Sequence, residues 1–140
     1  MTSVRLSVSF YRSFWKQTKK LNTCPPSTPL GQIQFDFDSD WIRPASWETI
    51  GVIADALHHP LLLSNVFVVV GHTDAKGSRD YNLKLSQRRA EAVRGMLIST
   101  FGILPGRLVA LGLGEEQLQD QSNPEAEVNR RVQLLNIGPR

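Results

Sequence analysis

The sequence of 140 residues lacks several features that would point to particular classes of protein. Its one cysteine, Cys24, excludes an intramolecular disulfide and a CxxC metal site. No apolar run approaches the roughly 18 to 20 residues that a membrane-spanning helix needs. The nucleophile motif GxSxG is absent as well. These absences exclude a disulfide-stabilised scaffold and give no indication of a spanning helix.

Acidic residues are missing from the start of the chain. The first 30 residues contain no acid, but they carry five basic residues: Arg5, Arg12, Lys16, Lys19 and Lys20. The remaining 110 residues hold 11 basic and 13 acidic side chains, so the overall charge of +3 comes from the amino terminus. Because five charges spread over this stretch form only a nonspecific patch, we predict no nucleic-acid partner.

The composition divides the chain into two parts. Residues 1–30 end in NTCPPSTPLG, a cluster of Pro, Ser and Thr that is typical of a linker. Arg5 and Arg12 interrupt the apolar segment that a signal peptide would need, so we expect none to operate here. We predict a basic leader and Pro-rich linker over 1–30, followed by one domain over 31–140. A hydrophobic content of 41% suffices for a modest core.

Hydrophobic spacing predicts the first strand and helix of this domain. Apolar residues alternate with polar ones at Ile33, Phe35 and Phe37, which is the period of a half-buried strand. Pro44 suits the first turn of a helix. Five residues then recur at helical spacing before the stop at HHP: Trp47, Ile50, Ile53, Ala54 and Leu57.

The rest of the domain reads as strand, helix, strand, strand. SNVFVVVG is rich in β-branched residues, and Asp80 is predicted to cap a helix that runs to about Phe101, with Gly102 as its stop. RLVALG and RVQLLNI are predicted as the last two strands. The order βαβαββ predicts a two-layer α/β sandwich, with a mixed four-stranded sheet and helices packed on one face.

A buried cation is predicted on the second helix. Asn82, Ser86, Arg89 and Val93 share one stripe at helical spacing, and Arg89 must find an anion if this stripe faces the core. Asp74, in the loop GHTD at the end of a strand, is the acid best placed to face it. The two could simply pair and lock the turn, or stand apart as two poles for a zwitterion. Spacing leaves both interpretations open.

Four blocks of sequence carry a family resemblance. They are FDFDSDWIRP, VVVGHTDAKGSRDYNLKLSQRRAEAV, RLVALGLGE and NRRVQL, which together span residues 31 to about 137. In this order they resemble the OmpA-like peptidoglycan-binding domain. The resemblance implies a βαβαββ sandwich that binds the peptide stem of the cell wall non-covalently at its diaminopimelate residue, without a cofactor.

The resemblance also implies a set of site residues. Asp74 would receive the ammonium of diaminopimelate, Arg89 its carboxylate, and Asn82 would add a hydrogen bond. Thr73 and Leu85 would supply backbone or wall contacts. The implied set is therefore Asp74, Arg89, Asn82, Asp36, Arg130, Thr73 and Leu85.

Location and partners follow from the same resemblance. It implies a periplasmic or outer-membrane position in the cell envelope, with the peptidoglycan stem peptide as partner. A membrane-anchored or envelope-complex partner and a homodimer stay open. Lipidation of Cys24 is not expected, because LNTC departs from the small-residue lipobox and KQTKK is not hydrophobic.

Three alternatives accompany this interpretation. The first is a scaffold domain that keeps the fold without binding the cell wall. The second is a magnesium-dependent phosphatase, since QFDFDSD carries a DxD motif, but its further acidic pair is missing. The third is a catalytic or zinc site built on His72, His58 or His59, whose spacing fits neither a triad nor zinc. We therefore predict a binding module that is not an enzyme and holds no metal, with His72 as a turn residue.

Overall fold

The computed structural model describes residues 27, 28, 33, 35, 36 and 38–139. The predicted basic leader and Cys24 lie outside these residues. Three short 3-10 turns cover Pro44–Ser46, Pro105–Arg107 and Glu127–Asn129. The strands and helices, in chain order, are β1 (Ser27–Thr28), α1 (Trp47–Leu57), β2 (Asn65–His72), α2 (Arg79–Ser99), β3 (Leu108–Gly114) and β4 (Val132–Pro139). The predicted order βαβαββ is confirmed.

The strands form one mixed sheet in the spatial order β1-β4-β2-β3. The βαβ unit makes β2 and β3 parallel, with Phe67 opposite Leu108 and Val70 opposite Leu111. β4 returns antiparallel to β2 and also pairs with β1. The carboxyl ends of β2 and β3 therefore meet at one edge, beside the start of β4.

The first strand of the sheet differs from the prediction. It is β1, which lies within residues 1–30 and pairs Ser27 and Thr28 with β4. In the predicted strand, Phe35 makes only an isolated antiparallel bridge with Ile42, and Phe37 lies outside the described residues. Ile33 and Phe35 are nonetheless buried, as the alternation predicts. Directly after Phe35, the Asp36 carbonyl accepts from Ser39 N–H and from Arg89 and so makes no ladder hydrogen bond of a sheet.

The main core lies between the sheet and the two helices. Phe67 and Val69 of β2 point toward the helices, while Val68 and Val70 belong to a second apolar cluster. This alternation follows from the two-residue period of a strand. On the helix side the core contains Ile50, Ile53, Ala54 and Leu57 of α1 and Ala90, Val93 and Leu97 of α2. Both helices thus pack on one face, as predicted.

The helix termini correct two predictions. The cap of α2 is Ser78, whose hydroxyl accepts from Tyr81 N–H, so Asp80 lies in the first turn and is not the cap. A serine in extended backbone brings its oxygen to the orphan N–H groups of the next turn. Trp47, the first of the five residues at helical spacing, is 49% exposed, whereas the other four are buried. Gly102 has φ 72° just beyond α2, as expected of a helix stop.

Helix α2 lies very close to β2 and β3. A Cβ at Gly71 would collide with the Ser86 carbonyl, and one at Gly112 with the backbone of Gln87. The Gln87 side chain accepts from Gly112 N–H and donates to the Ala110 carbonyl, while Ser86 Oγ accepts from Gly114 N–H. These side chains satisfy backbone groups of the edge strand β3 and fix the register of α2 against it.

Neither helix in the described part of the chain has the length and hydropathy that crossing a membrane requires.

Candidate functional site

The polar stripe of α2 is buried at the carboxyl end of β2. Asn82, Ser86 and Arg89 are at most 2% exposed, and Val93 is fully buried. Arg88, one position away on the helix, is exposed. Asp74 follows β2 by two residues and is 4% exposed. The helical spacing therefore predicts correctly which arginine of the pair enters the protein.

Arg89 is held by the main chain of the loop before α1. Its Nε donates to the Ser39 carbonyl at 2.8 Å and its Nη2 to the Asp36 carbonyl at 3.0 Å. The guanidinium carbon lies 5.1 Å from the centroid of the Phe35 ring, within the range of a cation–π contact. The third nitrogen, Nη1, is buried and has no hydrogen-bond partner among the described residues.

The surroundings of Arg89 disfavour its charge. Burial, together with the nearby cation of Arg130, lowers the pKa of Arg89 to about 10. The carboxylate of Asp74 opposes this shift, as do Asp40 and Asp38. A buried cation whose strongest partners are carbonyl oxygens lacks the anion that would offset its desolvation. The site thus favours a negative group beside Nη1.

Asp74 forms its ion pair with Arg130 and not with Arg89. Its Oδ2 lies 2.9 Å from Arg130 Nη1, and the two side chains are 5% and 17% exposed, respectively. Its Oδ1 accepts from Lys76 N–H, which closes a turn directly after β2. The interpretation in which Asp74 and Arg89 pair with each other to lock the turn is therefore wrong. Arg130 takes that place.

Asn82 fixes the same turn from α2. Its Nδ2 donates to the carbonyls of Asp74 and Lys76, at 3.2 and 3.0 Å. Thr73, the residue before Asp74, is buried, and its N–H donates to the Gly114 carbonyl. The Thr73 Oγ1 atom is buried and has no partner among the described residues. Leu85 is buried one helical turn after Asn82.

Asp36, which the resemblance implies as a site residue, contributes its main-chain carbonyl and not its carboxylate. Its carboxylate forms an ion pair with Arg43 and is half exposed, while its main-chain carbonyl receives the hydrogen bond from Arg89. The structure therefore brings the Asp36 backbone into the site and turns the side chain toward Arg43. Asp38, which has φ 56°, lies between these two residues in the chain.

The chain is similar in sequence to several known proteins. A family profile described as OmpA family matches residues 34–131. The chain belongs to the OmpA family. Outer membrane porin F of Pseudomonas aeruginosa is 37% identical over 123 residues, which cover 83% of this chain and 34% of the porin. Peptidoglycan-associated lipoprotein of Pseudomonas putida is 35% identical over 102 residues, 71% of this chain and 59% of the lipoprotein.

A solved OmpA-family structure agrees with the fold. The crystal structure of the peptidoglycan-associated lipoprotein from Burkholderia pseudomallei aligns with a TM-score of 0.64 and 33% identity, covering 75% of this chain and 88% of that one. The chain spans about a third of porin F and under two thirds of the Pseudomonas putida lipoprotein. These relatives are cell-envelope proteins, which confirms the envelope location that the sequence predicts. These three relatives are a porin and two peptidoglycan-associated lipoproteins, and none of the three is named as an enzyme.

His72 belongs to the sheet. It is the last residue of β2, fully buried, with Nε2 2.8 Å from Gln133 Oε1, so its prediction as a turn residue is wrong. Across the described ranges, no three His, Cys, Asp or Glu side chains come together as metal ligands. The DxD acid Asp36 faces Arg43 instead of a second acidic pair.

Two residues that support the site were not predicted. Ser39 acts through its carbonyl, so no side-chain pattern could have revealed it. Asn129 is fully buried, and its Nδ2 donates to the carbonyls of Asp120, Asn123 and Pro124. Since the Pro124 carbonyl accepts from Ala75 N–H, Asn129 ties the loop before β4 to the Asp74 turn. Asn129 is the first residue of the motif NRRV, but an asparagine next to two arginines carries no sequence signal of its burial.

Proposed function

We propose that residues 31–140 bind peptidoglycan non-covalently through the diaminopimelate residue of the stem peptide. The binding would anchor the cell envelope, or a complex within it, to the cell wall. The domain would bind its ligand without catalysing a reaction, and it would need no cofactor. It extends to this chain what the name of its peptidoglycan-associated lipoprotein relatives says of them.

The observation that carries the proposal is the unpartnered Nη1 of Arg89. Two carbonyls fix the other guanidinium nitrogens, so this donor is positioned before any ligand arrives. Asp74 is the carboxylate that acts most strongly on Arg89, yet it forms its ion pair with Arg130, and the effects of Asp40 and Asp38 on Arg89 are weaker. A ligand carboxylate at Nη1 would supply the missing anion and a charge-assisted hydrogen bond.

The opposite pole of the ligand would bind at Asp74. Each carboxylate oxygen can accept more than one hydrogen bond, so Oδ1 and Oδ2 keep acceptor capacity beyond Lys76 and Arg130. An ammonium group fits this capacity. Asn82 has both amide hydrogens committed to the turn, and we assign its Oδ1 as a further acceptor. The buried hydroxyl of Thr73 is a second polar group that a ligand could satisfy.

Diaminopimelate matches these two poles better than lysine does. Its distal carbon bears both an ammonium and a carboxylate, whereas the distal carbon of lysine bears an ammonium alone. Arg89 would sense the carboxylate and Asp74 the ammonium, while Leu85 would form part of the apolar wall. A charge-assisted contact of this kind is worth about ten- to hundredfold in affinity.

Isothermal titration of the purified protein tests the proposal. Wild type should bind a stem tetrapeptide with meso-diaminopimelate about ten- to hundredfold more tightly than the same tetrapeptide with lysine in that position, where no carbon of the lysine side chain bears both an ammonium and a carboxylate. Arg89→Ala should lose this discrimination, while Asp74→Asn should weaken binding of both ligands. Sacculus pull-down should fail for both variants, with circular dichroism confirming that they are folded.

Arg94→Ala is the matched control. Arg94 lies on the same helix and also donates to two carbonyls, those of Leu108 and Pro105, but it lies away from Asp74. It should bind both ligands like wild type. Equal affinity of wild type for the two tetrapeptides would contradict the assignment and favour a scaffold domain.

A further inference from the structure

A half-exposed tryptophan lies on the loop that holds Arg89. Trp41 is 57% exposed, although tryptophan is on average a well-buried residue. It is two residues beyond Ser39, whose carbonyl accepts from Arg89, and its own N–H donates to Ser39 Oγ. The same short segment therefore fixes the buried guanidinium and presents an indole ring to solvent.

Several contacts hold this loop in place. Asp36 and Arg43 form an ion pair across it, and Arg88 Nε of α2 lies 3.7 Å from Asp40 Oδ2. Phe35 bridges Ile42, whose side chain is buried in the core. Because successive side chains of extended backbone alternate in direction, burial of Ile42 turns Trp41 outward. The exposure of the ring follows from the way the loop is anchored.

The charge around Trp41 indicates which kind of ligand surface its ring could contact. Residues 36–43 contain Asp36, Asp38 and Asp40 but only one basic residue, Arg43. With Arg88 of α2 beside Asp40, three acids face two bases here, so no basic patch attracts the anionic surface of a membrane. Carboxylates beside an aromatic face instead suit a polyhydroxylated ring, since they accept hydrogen bonds from hydroxyls and the π-face attracts weakly positive C–H groups.

We propose that Trp41 stacks on a sugar ring of the glycan strand next to the stem peptide held by Arg89 and Asp74. The inference rests on the proposed function and adds a carbohydrate subsite to it. Continuity supports it: the carbonyls of Asp36 and Ser39 that orient Arg89 belong to the loop that carries the ring. Peptide and glycan would then be recognised by the two faces of one loop.

Two ligands separate the sugar contact from the peptide contact. One is a disaccharide-tetrapeptide that contains meso-diaminopimelate, and the other is the same tetrapeptide without sugar. Trp41→Ala should weaken binding of the disaccharide-tetrapeptide about five- to tenfold and change binding of the free tetrapeptide less than about twofold. Trp41→Tyr should restore most of the loss, because it keeps an aromatic face. Arg89→Ala should weaken the binding of both ligands.

Leu104→Ala is the matched control for removing an exposed apolar side chain. Leu104 is 60% exposed and lies beyond the carboxyl end of α2, and the last ten residues of that helix, about 15 Å in length, follow Arg89 before the chain reaches it. It should bind both ligands like wild type.

Three outcomes would overturn the inference. Equal effects of Trp41→Ala on the two ligands, or none on the disaccharide-tetrapeptide, would remove the sugar subsite while leaving the peptide site intact. Binding of wild type to phosphatidylglycerol vesicles that is lost in Trp41→Ala would assign the ring to a membrane surface. Failure of wild type to bind either ligand would overturn the proposed function itself.

Discussion

Asp74 Oδ2 and Arg130 Nη1 lie 2.9 Å apart, although 56 residues separate them in the chain. Asp74 follows β2 and Arg130 precedes β4, and the antiparallel pairing of these strands brings the two together. The ion pair therefore joins the turn after β2 to the loop that precedes β4. It also determines how the charges of the site are divided, because Arg89 is left without a carboxylate of its own.

Removing Arg130 should cost much more stability than removing an exposed arginine. Arg130→Met would leave the carboxylate of Asp74 buried without its ion-pair partner. The loss of the repulsion between Arg130 and Arg89 offsets part of this cost. We expect the free energy of unfolding in urea to fall by about 2 kcal/mol, below the 3 to 5 kcal/mol typical of a fully buried pair.

The control for this prediction is Arg88→Met. Arg88 and Asp40 are 48% and 51% exposed and lie 3.7 Å apart, so solvent screens their attraction. We expect a loss below about 1 kcal/mol. Equal losses in the two variants would mean that the Asp74–Arg130 pair has no special role in stability.

The close approach of α2 to the sheet predicts opposite effects for two glycines. In Gly71→Ala the new methyl group would collide with the backbone carbonyl of Ser86, which cannot move without shifting the helix. We expect a loss of about 3 kcal/mol or more, measured by urea denaturation. The same shift would displace Arg89, one turn further along α2, so affinity for diaminopimelate should fall as well.

Gly95→Ala is the matched control on α2. Gly95 is exposed in the helix interior, and a Cβ there would meet no atom within 4 Å. Since alanine favours helix over glycine, this variant should gain about 0.5 to 1 kcal/mol. A stable Gly71→Ala protein would show that α2 can move away from the sheet, contrary to the close packing described above.

Hydrophobic periodicity predicted most of the fold but not its first strand. The β-branched run before Gly71 and the helical spacing around Val93 correctly located β2 and α2. The alternation at Ile33 and Phe35 correctly predicted burial, yet it could not indicate that two carbonyls of the following loop bind a guanidinium 50 or more residues away. Such long-range hydrogen bonds override local strand propensity.

The sequence predicts which residues form the site better than it predicts which of them pair with each other. Helical spacing identified Arg89 as the inward arginine because burial depends on the helix face alone. The partner of Asp74 depends on where the loop between β3 and β4 returns, and no periodic pattern encodes that path. Ser78 was missed as the cap because Asp80 offered an equally suitable side chain two residues later.

The loop before β4 depends on the hydrogen bonds of Asn129. Its Nδ2 donates to three carbonyls and its Oδ1 accepts from Asp120 N–H, all within a fully buried side chain. Asn129→Ala would leave these groups unsatisfied, and we expect a loss of about 2 to 4 kcal/mol in urea denaturation. Asn129→Asp should be no better, since it replaces the donor that faces three carbonyls with a carboxylate oxygen.

This effect should reach the ligand site, because the Pro124 carbonyl that Asn129 holds also accepts from Ala75 N–H beside Asp74. Titration with meso-diaminopimelate should therefore show weaker binding in Asn129→Ala under conditions where the protein is still folded. Asn123→Ala, in the same loop but with an exposed side chain, should change stability by less than about 0.5 kcal/mol and leave binding unchanged. Equal behaviour of the two alanine variants would rule out Asn129 as the residue that positions the loop. A loss of stability in Asn129→Ala without weaker binding would show instead that the loop and the Asp74 turn are independent.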